Sequence, residues 1–505
     1  MARILFAHGH LLSLDRKQHA IGKPYPPLAT ITAAALVRAM GHDVALYDPM
    51  LDDDTRGFAR ALARARADVV VIYDDVFNWF TKMCLGRMRA AALAMIAVAR
   101  AAGARVVVSG HDAADAPEVY LAAGADYVIV GEAEMTLAEL LTALDAAGGA
   151  RDAGNVGDIA GLVFRDRGLV RRTGPRALLK DLDVLPIAAW DLVDVDRSRA
   201  FWRARHGYFA LNIVTTRGCP YKCNWCAKPV YGNTYHTRSP GSVITELRLL
   251  RDRYAPDRLW FCDDIFGLKA RWLLPFAAEV AALGLALPFL CQTRADLMTA
   301  ENVDALRRAG CAEAWLGVES GSQAVLDAMD KGLTVDHVRG AVTRLRAAGI
   351  RIGFFLQFGY PGEGWPEIEM TRRLVRELAP DDIGVSVSYP LPGTGFHDAV
   401  QARLGDKRNW DESADLDPLF PGLYPRDFYQ RLSRTVHAEF RTRNALRVLR
   451  SLLASAVGGP AARRTPAGDA VRALGGLVEL PVWVANNTWL RRHAEKTRQK
   501  IERDA

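Results

Sequence analysis

Thr215-Thr216-Arg217-Gly218-Cys219-Pro220-Tyr221-Lys222-Cys223-Asn224-Trp225-Cys226 carries three cysteines on one short loop, directly after an apolar run that reads as a strand. With seven cysteines in 505 residues, two more falling at +4 and +7 of any one by chance is on the order of one in a thousand per chain. Thiolates in such a pattern select zinc or an iron–sulfur cluster. Closed structural zinc takes four ligands, so a fourth would have to come from elsewhere, such as His236, and the spacing follows no zinc pattern. A cubane cluster on three thiolates leaves one iron open, where a reactant can bind. Cys84, Cys262, Cys291 and Cys311 sit in apolar surroundings and read as small buried hydrophobes.

Downstream of the loop, apolar runs at 258–262, 287–291, 313–317, 351–358 and 383–388 join 211–215 as six strands separated by helical stretches. Six βα units are too few to close an eight-unit barrel, so the expectation over 205–400 is a partial (β/α)6 TIM-type barrel. The strand ends are Phe261-Cys262-Asp263-Asp264-Ile265-Phe266, Gln292-Thr293-Arg294-Ala295-Asp296, Leu316-Gly317-Val318-Glu319-Ser320, Phe358-Gly359-Tyr360-Pro361-Gly362-Glu363 and Tyr389-Pro390-Leu391-Pro392-Gly393-Thr394. Barrel enzymes place their chemistry at this end of their strands.

Upstream, residues 1–145 alternate strands at 3–7, 43–47, 68–73, 105–109 and 126–130 with Ala-rich helices such as 27–40 and 87–102. That alternation predicts a doubly wound (Rossmann/flavodoxin-like) parallel sheet, with ligands beyond its strand ends. Those ends are Ala7-His8-Gly9-His10, Tyr73 to Trp79, Ser109-Gly110-His111-Asp112 and Gly131-Glu132-Ala133-Glu134. Residues 146–204 read as a linker with a small hairpin around Gly161-Leu162-Val163-Phe164, and 401–505 as a mainly helical region interrupted at Gly458-Gly459-Pro460 and Gly475-Gly476.

Composition is that of an ordinary globular protein, 50% apolar and 24% charged. No apolar run approaches the 18 or so residues of a membrane span, and Ile4-Leu5-Phe6-Ala7 is too short for a signal-peptide core. Sparse cysteines point to a reducing cytoplasm. The net charge of +7 is concentrated at the end of the chain, where 424–505 holds sixteen Lys/Arg against seven Asp/Glu. No Walker loop and no nucleic-acid-binding module occurs, so neither nucleotide hydrolysis nor a nucleic-acid partner is expected.

Cys-x-x-x-Cys-x-aromatic-Cys at the end of the first strand of a partial barrel resembles the radical S-adenosylmethionine (SAM) superfamily. With residues 1–145, the chain resembles its cobalamin-binding branch over about residues 1–400. The resemblance implies that Cys219, Cys223 and Cys226 hold a 4Fe–4S cluster whose open iron is chelated by SAM. It implies that Trp225 packs near the adenine, and that Asp263 or Asp264, Arg294 and Glu319 contact the methionine or ribose part, with Gly393 in the same cofactor-binding set. Pro26-Pro27-Leu28-Ala29-Thr30, Gly41-His42-Asp43-Val44 and the strand ending in Gly131-Glu132 resemble cobalamin-binding modules. Ser109, Gly110, Gly131 and Glu132 would then line the cobalamin site, and Asn78 and Trp79, on the loop after the third strand, would lie under the corrin. The older Asp-x-His-x-x-Gly signature is absent, so cobalt takes no lower histidine from that motif; His8, His10 and His111 fit hydrogen bonds to the nucleotide tail better.

The implied activity is methylation of an unactivated carbon: a 5′-deoxyadenosyl radical from SAM removes a substrate hydrogen, and the substrate radical takes the methyl group of methylcobalamin. A non-methylating oxidative cyclisation or rearrangement, as in the anaerobic porphyrin-ester cyclase, uses the same motifs. Outside enzymes, the alternative is an iron–sulfur electron carrier or cobalamin-binding sensor, for which the strand-end residues have no use. Implied partners are a small-molecule substrate, a lipid or natural-product intermediate among the candidates, and an external donor such as flavodoxin or ferredoxin. In the tail, Arg443, Arg447 and Arg450 share one helical face while Leu446, Leu449 and Leu453 share another. Packing of that apolar stripe on the barrel is favoured over contact with an anionic membrane surface, which the pattern also admits.

Overall fold

The computed structural model describes residues 1–147, 156–228, 230–456 and 475–504. The first sheet is built from β1 (Arg3–Ala7), β2 (Asp43–Tyr47), β3 (Val69–Tyr73), β4 (Arg105–Ser109), β5 (Tyr127–Ile129), β6 (Leu162–Asp166) and β7 (Leu169–Arg172). Its order is β2-β1-β3-β4-β5-β6-β7. The first five strands are parallel, and β3 and β4 read Val-Val-Val-Ile-Tyr and Arg-Val-Val-Val-Ser because helices cover both faces. The chain reverses direction across the sheet between β1 and β3, which opens a crevice at their carboxyl ends. The hairpin expected in the linker is present as β6 and β7, but it extends this sheet: β6 pairs antiparallel with β5, Ile129 opposite Leu162. Sequence pattern could not show this, because pairing across the interval 130–161 leaves no local signal.

The second sheet begins with β8 (Ala210–Ile213). A short pair, β9 (Thr216–Arg217) and β10 (His236–Thr237), follows. Then come β11 (Arg258–Phe261), β12 (Phe289–Thr293), β13 (Cys311–Glu319), β14 (Arg351–Phe358) and β15 (Asp382–Val387). The order β15-β14-β13-β12-β11-β8 is a parallel six-stranded partial barrel, as the six βα units predict. Helix α1 (Leu28–Ala39), nearly all buried, serves both layers: Leu28 and Ile31 join the barrel core while Ala33, Ala34 and Val37 join that of the first sheet. A one-turn helix α2 (Trp79–Lys82) sits on the loop after β3.

Helix α3 (Trp365–Leu378) lies on the outer face of the barrel between β14 and β15. Two long helices close the molecule, α4 (Arg426–Ala456) and α5 (Leu480–Asp504), with Phe428, Leu432, Leu490 and Ala494 in the barrel core. Tyr424 and Phe428 stack at 3.9 Å, and with Tyr429 they are buried in the barrel core. Gly475 opens a 3-10 turn, as expected there; the break expected at Gly458-Gly459-Pro460 lies outside the described residues. The tail expectation needs correction. Helix α4 does pack, but through Ala438, Thr442 and Ala445, whereas Leu446 and Leu452 are exposed and the Leu453 side chain lies outside the described ones. Small residues are what the close approach demands, since a Cβ on Gly476 would stand 2.4 Å from the Arg441 carbonyl oxygen. Among the described residues, no helix is long and apolar enough to cross a membrane.

Candidate functional site

The cysteine loop is closed at its base by β9 and β10, Thr216 opposite Thr237 and Arg217 opposite His236. His236, the alternative zinc ligand, is therefore a rung of this base. Gly218 follows at φ +80°, and a Cβ there would stand 2.5 Å from the Thr234 carbonyl oxygen, so the loop requires glycine. Lys228 ties the loop internally, donating to the Tyr221 carbonyl at 2.6 Å and to the Asn233 side chain at 2.9 Å. The Cys226 N–H donates to the Cys223 carbonyl at 3.2 Å, a tight bend between the last two thiols. Asn224 anchors that bend to the barrel: its N–H donates to Met329 O at 3.1 Å, its Nδ2 to Ala328 O at 2.8 Å, and its Oδ1 accepts from the Tyr360 hydroxyl at 2.9 Å.

Cys219, Cys223 and Cys226 are free and half-buried. Among the described residues, no three His, Cys, Asp or Glu side chains already stand close enough to hold a metal ion; what marks these three is donor chemistry and a shared loop. Burial pushes the Cys226 thiol up to about 11, against the pull of Lys82 and Lys228, and burial raises Cys219 as well. Metal binding must release those protons, which the lysine cations favour. Three uncommitted thiols beside fixed cations fit a cubane with one iron open.

Around the loop, the strand-end residues divide into two groups. Asp263 is buried and accepts from Thr215 N–H at 2.6 Å, the Thr215 hydroxyl at 2.5 Å and Thr216 N–H at 2.9 Å, so burial raises it only to about 6. Both of its oxygens are engaged within the chain. It fixes the strand leading into the cysteine loop. Asp264 is the more open of the two and pairs with Lys82 at 2.5 Å; burial raises it, but Lys82 holds it below the usual carboxylate range.

Arg294 is paired with Asp296 at 3.0 Å and lies 3.7 Å from the centre of the Tyr221 ring, directly over the cysteine loop. Glu319 stands where β13 slips register against β14, in the left-handed region at φ +60°. Such a bulge re-aims a side chain at some cost in strain. Here it aims Glu319 at Lys331, 2.8 Å away, and Lys331 in turn lies 5.8 Å from the Trp225 ring centre. Gly317 makes room, because a Cβ there would meet both Glu319 Oε1 and Lys331 Nζ within 3 Å. The Trp225 indole nitrogen is buried without a partner. Gly393 holds a turn at φ +75° with open space beside it.

In the first sheet, Ser109 is buried and Gly110 sits against Asp74, 2.8 Å from where its Cβ would be. Gly131, at φ +88°, has nothing within 4 Å of a would-be Cβ, a cradle left clear at the end of β5. His111 is buried and drawn down to about 3 by burial and then by Lys82, and its Nδ1 is without a partner. His8 is paired with Asp48 at 3.0 Å, and burial lowers His10 to about 4. A buried neutral imidazole with one free nitrogen, beside a clear glycine cradle, fits a large polar cofactor at these strand ends. Asn78 uses its side-chain oxygen to cap α2, accepting from Phe80 N–H at 3.1 Å. Trp79 opens α2, and its side chain lies outside the described ones.

Glu132 is engaged within the chain. It accepts from Leu179 N–H and from Arg217, while Glu134 pairs with the same guanidinium at 2.7 Å. Arg217 is 4% exposed and lies over Phe77 and Tyr231. One cation, two residues before the first cysteine, thus binds the end of β5 and the loop after β3. Lys82 makes the reverse bridge, from α2 to Asp264 on the barrel. Sequence reasoning quoted Arg217 and Glu134 without a role and passed over Lys82, Lys228 and Lys331; none has a motif signal.

Residues 213–375 match the family described as the Radical SAM superfamily, and residues 19–141 match the B12 binding domain. An uncharacterized methyltransferase of Pyrococcus horikoshii, PH0819, is 27% identical over 408 residues, covering 80% of this chain and 84% of its own. The anaerobic magnesium-protoporphyrin IX monomethyl ester cyclase of Synechocystis sp. is 28% identical over 228 residues, 45% of this chain and 43% of its own. Among solved structures, the radical SAM methyltransferase TsrM of Kitasatospora setae superposes with a TM-score of 0.64 at 20% identity, over 80% of this chain and 78% of that one. The cobalamin-dependent SAM radical enzyme OxsB gives 0.70 at 14% identity, over 98% and 72%. These structures share the fold.

Proposed function

From a chain that joins a B12-binding domain to a radical SAM domain, and so is a cobalamin-dependent radical SAM enzyme, we propose a methyltransferase acting on an unactivated carbon of a small molecule. The observation that carries this is the double clamp of Arg217 on Glu132 and Glu134 and of Lys82 on Asp264, which holds the strand ends of the first sheet against the cysteine loop. A methyl donor on the one and a radical source on the other would face each other across it. When bound, the cluster with SAM supplies one-electron bond cleavage and cobalamin supplies a transferable methyl group.

The chain's own residues do the rest. Cys219, Cys223 and Cys226 would hold the cluster, and Lys82 and Lys228 offset its thiolate charge. Trp225 offers an apolar face with a free indole N–H to an adenine. The Glu319–Lys331 pair and Arg294 present one anionic and two cationic groups, which suit the ammonium and carboxylate of an amino acid. Gly131, Gly110, Ser109 and His111 would line the cobalamin site. In this reading the chain divides at 1–145, 146–204, 205–400 and 401–505, with the linker hairpin added to the first sheet, and an external electron donor is required.

The test is anaerobic incubation with reductant and candidate substrates, counting 5′-deoxyadenosine and S-adenosylhomocysteine separately. Methylation of an unactivated carbon predicts both products in equal amounts for each methyl group transferred. Substrate consumed with 5′-deoxyadenosine alone would instead support the second reading, a cyclisation, which the likeness to the porphyrin-ester cyclase favours.

A further inference from the structure

On the outer face of the barrel, away from the cysteine loop, a cavity of about 260 Å³ opens between α3 and α4. Its floor is Val375, Val436 and Phe440, and its walls carry five arginines against one carboxylate, Glu439. Three of the five are paired: Arg372, Arg376 and Arg443 all pair with Glu439, and Arg372 and Arg376 also with Glu369. Arg447 and Arg450, at the open end, have no carboxylate within ion-pair distance among the described residues. Cations gathered on one helix face repel one another unless an anion joins them.

The surface beside the cavity is unusual in the opposite sense. Arg443 lies 5.2 Å from the ring centre of Trp483, which places the start of α5 next to it. There Val478, Leu480, Val482 and Val484 are 81%, 42%, 43% and 56% exposed, and Leu446, on the cavity rim, is 39% exposed. A cluster of exposed aliphatic side chains around a tryptophan, bordered by unneutralised arginines, has the composition of an interfacial surface. Charge complementarity selects the occupant: phosphate groups for the arginines and acyl chains for the aliphatics.

We propose that this face docks on an anionic phospholipid bilayer, with a headgroup phosphate entering the cavity between Arg447 and Arg450 and the start of α5 resting in the acyl boundary. The contact leaves the mouth of the barrel free, because the cavity lies near Ala379, at the end of α3 opposite to the one that follows the β14 strand end.

The experiment is co-sedimentation of the full-length protein at low salt with vesicles of phosphatidylglycerol and phosphatidylcholine, and with phosphatidylcholine alone. The anionic vesicles should retain it and the neutral ones should not. The Arg447→Ala/Arg450→Ala variant should bind about thirty-fold more weakly, at the usual contribution of a basic residue near an anionic surface. Val478→Ser/Val484→Ser should also bind more weakly although its charge is unchanged. Circular dichroism should show both variants folded, since the altered side chains are exposed. No retention by anionic vesicles, or retention unaffected by the arginine pair, overturns the proposal. So does saturable binding of inorganic phosphate that needs Arg447 and Arg450 without vesicle binding, which would assign the cavity to a soluble anion. Self-association through Val478 and Val484 without vesicle binding would equally overturn it.

Discussion

Three cysteines decide whether this protein has a radical chemistry at all. After anaerobic reconstitution the chain should carry about four irons and four sulfides, as one cubane needs, and the Cys219→Ala/Cys223→Ala/Cys226→Ala variant should carry neither. Iron and sulfide analysis checks this. Gly218 is a second residue-scale requirement. Gly218→Ala incurs a left-handed penalty of roughly 1–2 kcal/mol and a collision with the Thr234 carbonyl, so both cluster loading and melting temperature should fall. Gly232→Ala, in the same loop at φ +58° but with nothing within 4 Å, carries the first penalty alone and should keep its cluster. Glu363, buried at the end of β14, is raised to about 8 by desolvation, with one oxygen unpartnered. Its folded value exceeds its unfolded one, so the stability it allows is complete below the unfolded value of about 4.3 and is lost as pH rises through 8. Urea midpoints should therefore fall more steeply between pH 5 and 8 for the native chain than for Glu363→Gln.

At the scale of elements, what matters is how strand ends are re-aimed and joined. The register slip in β13 turns Glu319 toward Lys331, and Gly317 clears the space for the pair. The β9–β10 rung turns Arg217 out of the barrel into the first sheet. Burial raises Glu132, and the Arg217 cation, with the Leu179 N–H, keeps two glutamates tolerable there. Arg217→Met should therefore destabilise the protein by about 3–5 kcal/mol, as for a buried pair with one partner removed. Adding Glu132→Gln and Glu134→Gln should recover most of that loss in chemical denaturation, because no uncompensated charge remains.

The whole molecule is two sheets that share α1 and are closed by α4 and α5. Their cores meet through Leu28, Ile31, Met83 and Leu85, so the native chain should unfold in one cooperative calorimetric transition. Breaking both clamps, with Lys82→Met and Arg217→Met together, should separate that transition into two, the first sheet melting apart from the barrel. A single transition in the double variant would show that the apolar contact alone couples the sheets.

The sequence by itself determined the order of elements, the two parallel sheets and the cysteine loop, because hydrophobic period, glycine placement and thiol spacing are local properties written along the chain. Strands 3–7, 43–47, 105–109 and 351–358 fall where the pattern puts them. Only the tertiary structure decided which polar side chains already have partners within the chain. Asp263, Glu132 and Asn78 look like ligands in the sequence, yet each is engaged by backbone or guanidinium groups within the chain. Lys82, Arg217 and Lys331 carry no motif and nonetheless surround the cysteines. Their partners are 182, 85 and 12 residues away, respectively. A side chain's charge is fixed by its type, but its partner is fixed by which distant strand end the fold brings within 3 Å.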